Sequence, residues 1–174
     1  MISLEKEMDI IEQNRLRIRP IEQDDDTELA ELIRRNLKAY RLDIPGTVYY
    51  DENLYHLSDY YNALPDRRIY YVLTDEDRRI AGGVGIAELP DIEDCAELQK
   101  LYLDDSVKGL GLGYELMRKA EEAAASMGYG RIYLETHDNL DIAIHLYERC
   151  GYAEMDKPSF VNHGAMNRFF VREI

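Results

Sequence analysis

"VKGLGLGYEL", Val107 to Leu116, places glycine at three alternate positions, 109, 111 and 113, immediately before a run with helical spacing. One glycine in an element interior costs about 0.5–1 kcal/mol relative to alanine, so three within five positions mark a place where bare backbone is needed. A strand ending at Leu103, this loop and a helix beginning near Gly111 together make an anion site. The first turn of a helix has unpaired N–H groups and a partial positive charge, and absent side chains let a phosphate come close. Taken alone, such glycines also serve a tight turn and close helix packing.

Outward from the loop, the chain alternates in texture. "RLRIRP", Arg15 to Pro20, alternates polar and apolar residues and stops at a proline, as a short strand does. "EQDDDTELAELIRRNLKAY" keeps Leu29, Leu32, Ile33, Leu37 and Tyr40 at helical spacing, with Asp25, Asp26 or Thr27 as the cap. A short helix is expected from about Asp51 to Ala63, ahead of Pro65, in a segment crowded by Tyr50, Tyr55, Tyr60 and Tyr61. "RRIYYVLT", "RIAGGVGIAEL" and "CAELQKLYLD", separated by turn residues, read as an antiparallel meander. After the glycines, Leu112, Leu116, Met117, Ala120, Ala123, Ala124 and Met127 form one stripe, which Gly128 or Gly130 ends. "RIYLET" reads as a buried strand, "NLDIAIHLYERCGY" as a second amphipathic helix stopped by Gly151, and "NRFFVREI" as a last strand. No internal repeat or linker is visible, and residues 1–174 are expected to form a single domain.

Composition narrows the function classes. Lys plus Arg total 21 against 35 Asp plus Glu, a formal charge of −14, with no basic stripe to neutralise phosphates; nucleic acid is excluded as a partner. No apolar stretch approaches the roughly 20 residues of a membrane span, and "MISLEKEMDIIEQNR" carries acids where a secretion signal is basic and apolar, so the expectation is cytoplasmic, without membrane association. Cys95 and Cys150 are expected as free thiols, and no metal-ligand pattern appears.

Three phosphate-binding readings compete for the loop. A P-loop needs a Lys-Ser or Lys-Thr pair after the glycines, and none follows. A dinucleotide fold finds Glu135 at about the right distance, but the glycine spacing is wrong and a meander precedes the loop where parallel units belong. The third is an acyl-CoA loop. "LYLDDSVKGLGLGYELM", followed about 25 residues later by "RIYLETHDNLDIAIHLYERCGY", resembles the GNAT N-acetyltransferase superfamily. Its pyrophosphate pattern, [QR]-x-x-G-x-[GA], falls on Lys108, Gly111 and Gly113; its downstream helix pattern falls on Asn139, Ala143, Tyr147, Gly151 and Tyr152. Lys108 replaces the usual Arg or Gln, and "DDSV" stands where a proline is common. Lysine keeps the charge but loses a bidentate contact, which puts cofactor affinity at issue.

The resemblance implies an α/β fold of the GNAT type: a mixed, mostly antiparallel central sheet of six or seven strands flanked by about four helices. It implies transfer of an acetyl group from acetyl-CoA to an amine of a small molecule or a protein, and it allows a homodimer. The diphosphate would sit on the amides of Lys108, Gly109, Leu110, Gly111, Leu112 and Gly113. The pantetheine arm would pair like an extra strand with Leu101, Tyr102 and Leu103, needing only backbone groups. Asn139 would hydrogen-bond the cofactor from the start of the second helix, and Tyr147 would protonate the departing thiolate as general acid. A lysine-like amine is neutral in only about one molecule in 2,500 at pH 7, so a base is needed. Glu97 is the first candidate, with Glu135, His137 and His163 behind it. The Tyr-rich segment with Asp51, Glu52 and Asp59 either forms an aromatic, acidic acceptor pocket or is simply the core and wet sides of a helix. A non-catalytic acyl-CoA sensor, or a partner-binding subunit, is the alternative on the same scaffold.

Overall fold

The computed structural model describes residues 15–161 and 164–174. Its strands are β1 (Arg17–Pro20), β2 (Ile69–Thr74), β3 (Ile80–Glu88), β4 (Cys95–Leu103), β5 (Arg131–Thr136), β6 (Ala153–Met155) and β7 (Arg168–Glu173). Its helices are α1 (Asp26–Ala39), α2 (Leu57–Asn62), α3 (Leu112–Ser126) and α4 (Asp141–Arg149). The strands form one sheet in the order β1-β2-β3-β4-β5-β7-β6. All its pairings are antiparallel except β4 with β5.

Both faces of the sheet are covered because both flanking helix pairs carry an apolar stripe. Leu112, Leu116, Met117, Ala120 and Ala124 of α3 pack on Val84, Ile86, Ala96, Leu98, Ile132 and Leu134. On the opposite face Leu29, Leu32, Ile33 and Leu37 of α1, with Leu57 and Tyr61 of α2, cover Tyr70, Val72 and Ala87. A third cluster joins Cys95, Tyr133, Val161 and Phe169. No described helix is long and apolar enough to cross a membrane.

Three local expectations are corrected. Neither Asp25 nor Asp26 caps α1, because each carboxylate has a stronger partner: Asp25 is held by Arg19 at 2.7 Å through both oxygens, and Asp26 accepts from the Ser58 amide and hydroxyl at 2.8 and 2.6 Å. The helix expected over Asp51 to Ala63 is split. A 3-10 turn, Glu52–His56, is seeded by Asp51 accepting from the Asn53 amide at 2.9 Å, and α2 starts only after His56, whose φ of −136° breaks the run. Asn139 precedes α4 rather than lying on it, since α4 begins at Asp141.

The tyrosine segment takes the plainer of its two readings. Tyr61 is buried, Tyr50 and Tyr60 are exposed, and Tyr55 donates to Glu31 at 2.5 Å; none of the four lines the cleft described below.

Candidate active site

The three loop glycines have different reasons for being there. Gly109 and Gly111 sit at φ of 79° and 82°, the left-handed region that is cheap only for glycine. A Cβ on Gly109 would meet no protein atom within 4 Å, so that position faces open space. Gly113 instead admits a neighbour: its Cβ would lie 3.0 Å from the Leu146 Cδ2 of α4. Gly111 is the N-cap of α3 and offers no side-chain cap. Among the described residues, none of the six amides from Lys108 to Gly113 donates to a protein acceptor. They form a row of open donors at the positive end of a 15-residue helix. Lys108 is paired with Asp105 at 2.5 Å and lies over the Tyr40 ring, so its charge is partly answered by the acidic residues that stand in place of a proline.

The loop opens into a cleft of about 910 Å³ created by the split of β4 from β5. The two strands pair only at Cys95 with Arg131, Ala96 with Ile132 and Glu97 with Tyr133, then diverge. Beyond that point the edge of β4 facing the cleft is unpaired, while its other edge stays on β3 through Leu103 and Tyr102. Leu101, Tyr102, Leu103, Lys108, Gly109, Leu110, Gly111 and Gly113 all line the cleft, together with Tyr147. Leu112 does not line it, being turned into the core. Asn139 stands outside the lining and donates its side-chain amide to the carbonyl of Tyr40 at 2.9 Å.

Tyr147 projects from α4 beneath the cleft, only 6% exposed. Burial pushes its phenol well above the ordinary range, with Tyr102 and Cys150 adding to the effect, so it stays protonated and able to donate at neutral pH. Glu97 does not line the cleft. Its carboxylate accepts from Gln99 at 2.6 Å, and Gln99 in turn accepts from the Tyr61 hydroxyl at 2.7 Å. Burial raises its pKa, opposed by the Gln99 hydrogen bond and reinforced by the charge of Glu135. Glu135 does line the cleft, accepts from the Tyr133 hydroxyl at 3.0 Å, and is likewise raised by burial. The imidazole of His137 is committed to the amide of Asn139 at 3.1 Å, and His163 lies outside the described residues.

Thr136 and Lys100 are among the cleft-wall residues that the sequence did not single out. The Thr136 hydroxyl, at the end of β5, is buried without any hydrogen-bond partner. Lys100 sits at a bulge of β4, where Lys100 and Leu101 together oppose Val84 of β3. Its φ is 51°, its carbonyl accepts from the Tyr70 hydroxyl at 2.7 Å, and the residue lines the cleft. The signal that could have found the bulge is the glycine run in "AGGVGI". A Cβ on Gly83 would lie 2.5 Å from the Tyr70 ring, and one on Gly85 2.5 Å from the Tyr61 hydroxyl. Two tyrosines therefore cross β3 over bare backbone to brace β4.

With this geometry in place, comparisons with known proteins are decisive about kinship. The family described as the acetyltransferase (GNAT) family matches residues 29–152. An uncharacterised N-acetyltransferase of Escherichia coli, YjgM, is 37% identical over 134 residues, covering 76% of this chain and 78% of its own. A GNAT-family acetyltransferase structure from Staphylococcus aureus shares the fold at a TM-score of 0.79 and 20% identity, over 91% of this chain and 98% of that one. Spermidine N-acetyltransferase from Vibrio cholerae, solved with CoA and spermine, does so at 0.66 and 23%, over 91% and 95%. A family match over most of the sequence, on a sheet that splits beside a row of open amides, establishes that the chain belongs to the GNAT family of acetyltransferases.

Proposed function

We propose that this enzyme carries an acetyl group from acetyl-CoA to a primary amine of a small molecule or a protein. The observation that carries the reading is the row of unengaged amides from Lys108 to Gly113, opening into the gap between β4 and β5. Two linked phosphates satisfy those donors, and the free edge of β4 at Leu101 to Leu103 offers the groups a polyamide arm needs. The orphaned Thr136 hydroxyl fits the same guest, since a buried hydroxyl without a partner costs about 1–3 kcal/mol until a ligand supplies one.

Acetyl-CoA supplies the activated thioester; the protein supplies position and two proton transfers. Glu135, facing the cleft with a raised pKa, receives the proton of the attacking amine, and Glu97 behind it keeps the region from holding two full charges easily. Tyr147, held protonated by burial, delivers a proton to the departing thiolate. Asn139 keeps Tyr40 and the start of α4 together at the rim of the cleft.

Free-thiol release in the presence of an amine panel, with mass spectrometry of the product, tests the reading. Tyr147→Phe is expected to lower turnover by about 100-fold while acetyl-CoA affinity changes little. Turnover equal to wild type would remove Tyr147 from the mechanism, and absence of any heat on titration with millimolar acetyl-CoA would remove the cofactor.

A further inference from the structure

Lys100 is a charged residue of the cleft that acetyl transfer as described does not use. It occupies a left-handed backbone position, φ 51°, where a side chain is strained and glycine would sit free. A lysine kept in such a place, on a bulge braced from behind by the Tyr70 hydroxyl, points to a need for its ammonium group. Lys100 lines the cleft, and among the described residues its ammonium makes no hydrogen bond and no ion pair. Asp51 and Glu97 are near enough to favour its charge, yet burial outweighs them and lowers its pKa. A half-buried cation without a direct hydrogen-bond or ion-pair partner is costly, and a bound anion offsets that cost.

Resting on the acetyl-transfer reading above, we propose that Lys100 selects the acceptor: its ammonium binds the carboxylate of an amino-acid-like acceptor whose amine lies against Glu135. The placement follows from the strand register. Lys100 is three residues beyond Glu97, and Glu135 two beyond Tyr133, the last pair formed before the strands part, so the two groups flank the mouth of the same gap. A carboxylate fits better than a phosphate, because Asp51, Glu97 and Glu135 already surround this one cation, and a dianion meets twice the repulsion from them that a monoanion does. A polyamine, cationic at every nitrogen, meets Lys100 as a repulsion.

The test compares α-amino acids with their carboxamides and their decarboxylated amines as acceptors, for wild type, Lys100→Met and Lys100→Arg, following CoA release and product mass. A thermal melt of each variant checks folding. Wild type is expected to favour the carboxylate-bearing member of a pair by about 10- to 100-fold in kcat/KM, Lys100→Met to reduce that ratio below about threefold, and Lys100→Arg to keep part of it. Equal use of amide and acid by wild type overturns the assignment, as does a preference that survives in Lys100→Met. Those outcomes leave acetyl transfer standing. Release of CoA with none of the acceptors would overturn the catalytic reading itself, and this one with it.

Discussion

Replacing Gly83 by alanine tests whether bare backbone in β3 is what lets a tyrosine brace the bulge that carries Lys100. The new Cβ would lie 2.5 Å from Cε1 and 2.8 Å from the hydroxyl of Tyr70, and 2.8 Å from the carbonyl oxygen of Tyr71 on the paired strand. Neither neighbour yields easily. Tyr70 is fully buried and anchored to Lys100 by its hydroxyl, and the Tyr71 carbonyl belongs to the backbone of β2. Overpacking costs about 1–3 kcal/mol and loss of the Tyr70 hydrogen bond about 1 more, while the lower chain entropy of alanine returns about 0.5–1. The net loss of about 1–3 kcal/mol lowers the melting temperature by about 2–12 °C in a domain of this size. Thermal unfolding followed by circular dichroism measures it. Acceptor kcat/KM, taken where the variant is still folded, is expected to fall about tenfold as the bulge relaxes. A melting temperature within about 1 °C of wild type, with unchanged kcat/KM, would refute the reasoning, because the crossing tyrosine would then have moved aside without cost.

Three other outcomes are expected. Gly111→Ala forces a side chain into φ 82° at the N-cap of α3 and should cost about 1–2 kcal/mol on denaturant titration, together with weaker acetyl-CoA binding by calorimetry. Thr136→Val removes a buried hydroxyl without a partner, so the free protein should melt higher by about 2–4 °C while the Kd for acetyl-CoA rises about 2- to 10-fold. Glu97→Gln should stabilise the protein increasingly as pH rises. The folded carboxyl has a raised pKa, so the native state holds its proton more tightly than the unfolded chain, and wild-type stability is full below the unfolded value and declines as pH climbs through the folded one. The difference in melting temperature between variant and wild type, near zero at pH 4 and growing towards pH 8, is the measurement; a difference independent of pH would contradict it.

The amino-acid order alone determined the features that are local. The stripes of α1, α3 and α4 repeat every three or four residues because a helix turns in 3.6, and the meander alternates because a strand has period two, so element types and both helix-covered faces are visible before folding. The glycine loop is also local: φ above zero at Gly109 and Gly111 and the open amides beside them need only a short run of chain. Tertiary structure decided what depends on residues far apart in sequence. Whether Asp25 caps a helix or pairs with Arg19, and whether Asp26 faces its own helix or Ser58, is a competition among partners that only folding assembles. Glu97 and Glu135 look alike on their strands, but Gln99 and Tyr61 close over the first while the second opens on the cleft. Lys100 sits on a bulge, and a bulge is a mismatch between two strands: β4 read by itself carries no trace of it, and the glycines of β3 hint at it only once the two strands are paired, because side-chain direction beyond it is set by register with Gly83 and Gly85 across the sheet.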